Sequence, residues 1–192
     1  MADERKPRDI ALLDALDSLP RTAHRARAWR TAKEGRDPLE GGRSRGRWGH
    51  DGMETWYASH DEDGSVAEIH SMLSAQPVFP SKVRWLTHEL EVELDDVMSL
   101  PTLPQLASLG VDIARYQARE YARTQDIADA ALFLGFKGLI VPSARWECTN
   151  LAAFTEHTDP GQLAVIGTPK LVDWTAWRER RAAVRRRPES PG

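Results

Sequence analysis

Cysteine is nearly absent from this chain, with Cys148 alone among 192 residues. No intramolecular disulfide can form, which fits a reducing compartment. Long apolar runs are missing too. The longest, around Ala130 to Phe136, falls far short of the roughly 20 residues that cross a bilayer, and "MADERKPRDI" at the start has no apolar signal core. We expect a cytoplasmic protein with no membrane role. Neither sign of charge dominates. Lys and Arg number 26, Asp and Glu 29, for a net charge of −3, so the whole chain does not read as a non-specific nucleic-acid binder. Several chemical signatures are lacking. The six histidines, His24, His50, His60, His70, His88 and His157, form no HxxxH pair, and there is no CxxC, so no metal ligand set is expected. GxGxxG, the P-loop lysine motif and GxSxG are absent as well.

What is present suits one domain with a sizeable core: 41% hydrophobic and 29% charged residues. The expected organisation is an N-terminal helix with a flexible start over 1–24, a single domain over 25–184, and a flexible basic, proline-containing tail over 185–192. The first helix covers Ile10 to Asp17. "RARAWR" at 25–30 leads into the core, with Trp29 as the buried residue. Residues 33–54, rich in glycine and charge, form a long irregular stretch, and such loops are usually functional or disordered. "ETWYAS" reads as a strand. In "DEDGSVAEIHSML", Val66, Ile69 and Leu73 share one helical face. "HELEVEL" alternates strictly, Leu90, Val92 and Leu94 against Glu89, Glu91 and Glu93, the pattern of an antiparallel or edge strand. Ile127, Ala130, Ala131 and Leu134 mark another helix. "GLIV", "NLAAFTEH" and "QLAVIGT" read as strands, and "DWTAWRERRAAVRR" as a last helix with Asp173 as its N-cap. Strands and helices mix without a βαβ rhythm, which indicates α+β with a largely antiparallel sheet.

Three residues have chemical promise. Arg47 lies in "GGRSRGRW" at 41–48, where arginine offers a planar fork to phosphate oxygens and glycine permits close approach. On charge alone the stretch is a solvated loop. Tyr57, in "WYAS", is by default a core residue, and Glu68, in "SVAEIH", a helix-surface carboxylate. Cys148, in "RWECTN", reads as a structural thiol rather than a nucleophile.

The order and spacing of these motifs resemble the RES-domain toxin family, named for its arginine, glutamate and serine. "GRW" at 46–48 is followed by a strand tyrosine, Tyr57, and by "AE" at 67–68 in the next helix. "GLIVPSARWECTN" at 138–150 is similar to the family's serine segment, which places Ser143 and a downstream Asn150. "WR" at 29–30 is similar to the arginine that opens the domain. The resemblance runs from Trp29 to Phe154, and Gly49 stands where members usually have Asn. It implies a fold like that of ADP-ribosyltransferases, a mixed, largely antiparallel sheet flanked by helices. It also implies NAD as the substrate and an Xre-like antitoxin covering the site. Glu68, Arg47, Tyr57 and Ser143 would be catalytic. Arg30, Arg47, Tyr57, Ser143 and Asn150 would bind NAD. The expected activity is cleavage of the nicotinamide–ribose bond, with water or phosphate as acceptor. Modification of a host protein is the alternative. A nucleic-acid module built on the basic loop and on Arg178, Arg180, Arg181, Arg185, Arg186 and Arg187, with Trp174 and Trp177 beside them, is the reading from another class.

Overall fold

The computed structural model describes residues 7–43 and 45–185, and side chains as far as Ala183. Most of the expected tail, 185–192, and the first six residues lie outside the described residues. Helices α1 (Ile10–Asp17), α2 (Glu62–Ser74), α3 (Leu103–Ser108), α4 (Ala122–Phe133) and α5 (Trp174–Arg185) flank a sheet. Its strands are β1 (Thr22–Lys33), β2 (Thr55–Ser59), β3 (Trp85–Ser99), β4 (Gly138–Pro142), β5 (Thr149–Phe154) and β6 (Leu163–Leu171). The class is α+β. Every strand pairing is antiparallel except β3 with β4, where Val97, Met98 and Ser99 run parallel to Gly138, Leu139 and Ile140.

Followed from neighbour to neighbour, the pairings β1–β2–β5–β4–β3 return to β1 and close a ring, and β6 extends from β3. The expectation of an edge strand for "HELEVEL" is corrected by this topology. β3 is interior, with β1 along one side and first β6, then β4 along the other. The alternation holds regardless, because Leu90, Val92 and Leu94 are 0–1% exposed. The strand changes neighbour near Asp96, whose φ of 54° puts a kink in the ladder. A short polar side chain tolerates that left-handed backbone better than a branched one.

Side-chain parity then sorts the strand residues. Ala28, Trp56, Ala58, Leu90, Val92, Leu94, Val97, Leu151 and Ala153 make one core within the ring. The opposite parity faces outward. Met98, Leu139, Val141, Ala152 and Phe154 pack there with Leu12 and Leu16 of α1 and Ile127, Ala128 and Ala131 of α4. Trp29 falls on the outward parity and is only half-buried, so the expected core tryptophan of β1 is replaced by its neighbour Ala28 at 0% exposure. Stripping this much apolar surface of water at about 25 cal/mol per Å² is the main force holding the layers together.

Helix ends follow the sequence chemistry. Asp9 caps α1 through Leu12 N at 3.2 Å, and Asp61 caps α2 through Gly64 N at 2.7 Å. Asp173 Oδ1 accepts from the Thr175 and Ala176 amides at the start of α5. Gly135, with φ of 83°, follows α4 and turns the chain into β4.

Candidate active site

The site begins with how closely α2 lies on β2. Gly64 sits in the first turn of α2, and a Cβ built there would be 2.6 Å from Ser59 Oγ and 2.7 Å from Cys148 Sγ. Only a residue without a side chain lets the helix approach so near. Glu68 follows four residues later on the same helical face. From there its Oε1 accepts two hydrogen bonds, from Ser143 Oγ at 2.7 Å and from Asn150 Nδ2 at 2.9 Å. These donors arrive from separate places, the turn after β4 and the start of β5. Val141 opposite Asn150 and Pro142 opposite Thr149 fix the two strands in register.

Ser143 is itself held. Its Oγ accepts from Arg145 N at 3.1 Å and Trp146 N at 3.2 Å, and its amide donates to Cys148 O at 2.9 Å. The hydroxyl proton is therefore directed to the carboxylate, because its lone pairs serve the 143–148 turn. Cys148 works within this scaffold. Its Sγ is 3.2 Å from Ser59 Oγ, and burial pushes the thiol pKa up, away from a nucleophilic thiolate.

Arg47 enters from the 43–49 loop. Its guanidinium lies over two rings, 4.4 Å from the centroid of Tyr116 and 4.8 Å from that of Tyr121, and donates to Ala118 O at 3.2 Å. Burial lowers its pKa, while the tyrosines and Glu68 oppose that, so the cation and the Glu68 carboxylate share one electrostatic neighbourhood. Gln125 Nε2 donates to Gly46 O at 2.9 Å and Gly49 O at 3.0 Å, tying the loop to α4. Tyr116 Oη donates to Pro142 O at 2.7 Å, which links the arginine clamp to the residue before Ser143.

Tyr57 lies under the same loop. A Cβ at Gly46 would meet its hydroxyl at 2.6 Å, and one at Gly49 at 3.1 Å. The hydroxyl is buried beside the Trp48 backbone and the Thr55 side chain without a well-formed hydrogen bond to either, and burial drives its pKa up. A buried hydroxyl so poorly paired is uncommon, and here it lies against Gly46 and Gly49 on either side of Arg47.

Glu68, at the middle of α2, is thus joined to Ser143 and Asn150 by hydrogen bonds and to Arg47 by charge, with Tyr57 under the Arg47 loop. Arg30 is not brought to them. It shares the parity of Ala28, donates to Pro38 O at 3.0 Å and stacks over Trp56 at 5.4 Å, within the ring interior. Burial lowers its pKa to about 10. Its neighbour Thr31, of the other parity, is the one that touches α2, through Ser65 Oγ at 2.9 Å. Gly64, Tyr116, Tyr121, Gln125 and Arg145 were not among the expected site residues. A glycine inside a helical pattern was the one available hint.

The loop arginines separate by role. Arg45 pairs with Asp51 at 2.7 Å and Arg43 approaches Glu54 at 4.0 Å, both largely exposed. In α5, Arg180 pairs with Asp63 at 2.8 Å, Arg178 lies over Phe79, Arg181 lies over Trp177, and Trp177 is 1% exposed. These cations have partners within the fold, and Trp177 is buried rather than open for base stacking. The Arg185 side chain, Arg186 and Arg187 lie outside the described residues. Among the described residues no group of three or more His, Cys, Asp or Glu could hold a metal ion, and no helix is long and apolar enough to cross a membrane.

Comparison with known proteins agrees with this architecture. A Mycobacterium tuberculosis protein named a probable NAD(+) phosphorylase is 31% identical over 152 residues, covering 76% of this chain and 72% of that one. The crystal structure of the M. tuberculosis MbcT–MbcA toxin–antitoxin complex contains a chain that superposes with a TM-score of 0.77 at 23% identity. That match covers 91% of this chain and 98% of the other. The RES domain family model matches residues 19–177, a span that holds the ring, the Arg47 loop and the Glu68–Ser143–Asn150 cluster, and the chain belongs to the RES domain family.

Proposed function

We propose that this protein is an NAD-consuming enzyme that breaks the bond between nicotinamide and ribose, and that it serves as the toxin of a toxin–antitoxin pair. The observation that carries the chemistry is the fixed carboxylate. One oxygen of Glu68 takes two hydrogen bonds, from Ser143 and Asn150, beside the Arg47 cation. Breaking an N-ribosyl bond passes through an oxocarbenium-like state, as glycoside cleavage does. The departing nicotinamide ring is already cationic in NAD and leaves with the bonding pair as a neutral molecule, so no general acid has to protonate it. A held anion near C1′ then stabilises the developing positive charge without reorganising. Arg47 suits the pyrophosphate through charge-assisted bonds. The Tyr57 ring lies under the Arg47 loop and fits a wall for the nicotinamide ribose.

Two acceptors complete the reaction. Water would yield ADP-ribose and release a proton, and hydrogen phosphate would yield the ribosyl phosphate. The relative named a probable NAD(+) phosphorylase favours phosphate. An ADP-ribosyltransferase-like fold, a cytoplasmic location and an Xre-like antitoxin seated over the site belong to the same reading; the solved toxin–antitoxin complex of similar fold supports an antitoxin as partner. Transfer to a host protein remains the second reading, since it shares every step but the acceptor. Incubation with NAD alone separates them. Loss of NAD in phosphate buffer, with release of nicotinamide and no added protein, is the expected result. A rate that stays at background until lysate protein is supplied would overturn it in favour of transfer.

A further inference from the structure

The loop that carries Arg47 gets little support from its own backbone. Among the described residues, 45–49 make no backbone–backbone hydrogen bond, and Thr55 Oγ1 reaches Trp48 O only at 3.4 Å. The two short bonds to that backbone come from one side chain. Gln125 Nε2 directs its two hydrogens to the Gly46 and Gly49 carbonyls, 2.9 and 3.0 Å away. Those carbonyls stand on either side of Arg47 and Trp48, so a single amide nitrogen spans the turn that presents the guanidinium. The same two glycines lie close on β2. A Cβ at Gly46 would be 2.6 Å from Tyr57 Oη, and one at Gly49 2.7 Å from Thr55 Oγ1. Gln125 belongs to the opening of α4, and its amide donates to Tyr121 O at 2.8 Å. Tyr121 in turn provides one of the rings under the Arg47 guanidinium, at 4.8 Å. The start of α4 thus holds the arginine twice, by its backbone through Gln125 and by its charged end through Tyr121. An arginine restrained in this way has less rotamer freedom left to lose when a phosphate arrives.

We propose that Gln125 is the positioning residue for Arg47. It acts through the loop, fixing the backbone so that the guanidinium stands ready for the substrate. The inference rests on the NAD-cleaving reading, in which Arg47 meets the pyrophosphate, and adds to it what aims the arginine. The role needs donors rather than bulk. Methionine at this position has nearly the same length and volume and no N–H, so it fills the same space and removes both bonds. The Glu68 carboxylate is held separately, by Ser143 and Asn150, so losing Gln125 weakens substrate binding and leaves the bond-breaking step nearly as it was.

The test compares the full chain with Gln125→Met and Gln125→Ala, each made also in an Arg47→Ala background. Initial rates of nicotinamide release give KM and kcat, and amide hydrogen exchange is followed in peptides covering 45–51. We expect KM for NAD to rise about fivefold or more in both Gln125 variants, with kcat within about threefold of the parent, and exchange over 45–51 to quicken. Once Arg47 is alanine, the same Gln125 substitutions should change kcat/KM by less than about twofold, because no guanidinium is left to aim. A merely structural role would lower kcat/KM equally in both backgrounds. That result overturns the proposal, and so does a loss confined to kcat. Where Gln125→Met does not fold, Gln125→Ala carries the same comparison. Failure of the parent protein to release nicotinamide would overturn the NAD-cleaving reading, and exchange then decides alone: unchanged protection of 45–51 in the folded variants overturns the role of Gln125, and faster exchange upholds it.

Discussion

Replacing Ser143 with Ala tests the central contact. The substitution removes the 2.7 Å O–H donor to Glu68 Oε1 and leaves Asn150 as the remaining donor to that oxygen. A hydrogen bond to a charged group contributes about 1.5–3 kcal/mol. If that interaction is expressed fully in the transition state, the loss corresponds to roughly a 10- to 150-fold fall in kcat. The amides of Arg145 and Trp146 also lose their acceptor, at a stability cost of about 1 kcal/mol each where water does not replace it. Asn150→Ala, which removes a bond of similar length and leaves the 143–148 turn intact, separates the two effects. Initial rates of nicotinamide release at saturating NAD, with thermal melting run on the same samples, are the assay. Both variants should lose kcat, and Ser143→Ala should lose more stability. A folded Ser143→Ala protein with kcat within twofold of the parent would refute the reasoning, because the carboxylate would then not depend on its directed hydroxyl.

Other perturbations follow from the same geometry. Gly64→Ala puts a methyl 2.6 Å from Ser59 Oγ and 2.7 Å from Cys148 Sγ, so it should cost about 1–3 kcal/mol in denaturant titration; an unchanged midpoint with full activity would contradict the close-packed helix. Tyr57→Phe removes a buried hydroxyl that forms no well-aligned hydrogen bond and should leave Tm the same or higher; a fall of several degrees would mean the contacts to Trp48 and Thr55 satisfy it. Tyr121→Leu removes one of the two rings under the Arg47 guanidinium and should raise KM for NAD by roughly 2- to 13-fold, from a cation–π contribution of about 0.5–1.5 kcal/mol, with kcat little changed; a loss confined to kcat would place the clamp elsewhere. His60 has its pKa lowered to about 4, first by burial and then by His24, whose Nε2 lies 3.0 Å away. The unfolded chain therefore binds the proton more tightly, so stability is retained above about pH 6.5 and lost as pH falls toward 4. His60→Gln should flatten that slope, and an equally steep acid limb in the variant would assign it to other groups.

Much of this was legible in the chain. Period-two alternation found β3 because one face is buried whichever neighbour pairs with it. For the same reason it could not show that the strand is interior. Trp29 was misplaced because bulk suggested burial, whereas strand parity gave the inward position to Ala28. The Arg47–Tyr57–Glu68 spacing pointed to one locality, since a loop, a strand and the first turns of the next helix are contiguous in sequence. Arg30 was drawn into that locality by motif, but it sits one residue from Thr31 on a strand, and one residue is the difference between two faces of a sheet. Tyr116, Tyr121 and Gln125 were illegible. Nothing local in "RYQAREYARTQD" marks residues that meet a loop 71 to 79 positions earlier.

The distance along the chain between Glu68 and its two donors has a consequence for biosynthesis. Ser143 is 75 residues downstream and Asn150 is 82. At about 5–20 residues per second, a ribosome that has made the glutamate needs roughly 4 to 16 seconds more before both donors exist. The helix that seals α2 from behind comes later still, because Trp177 belongs to the last element and packs on Val66 and Ala67. A nascent chain of this protein therefore carries its carboxylate, its arginine and its tyrosine before either donor that fixes the carboxylate has been made. Translation itself sets a delay, and any molecule that must meet this protein before it acts has that interval in which to arrive.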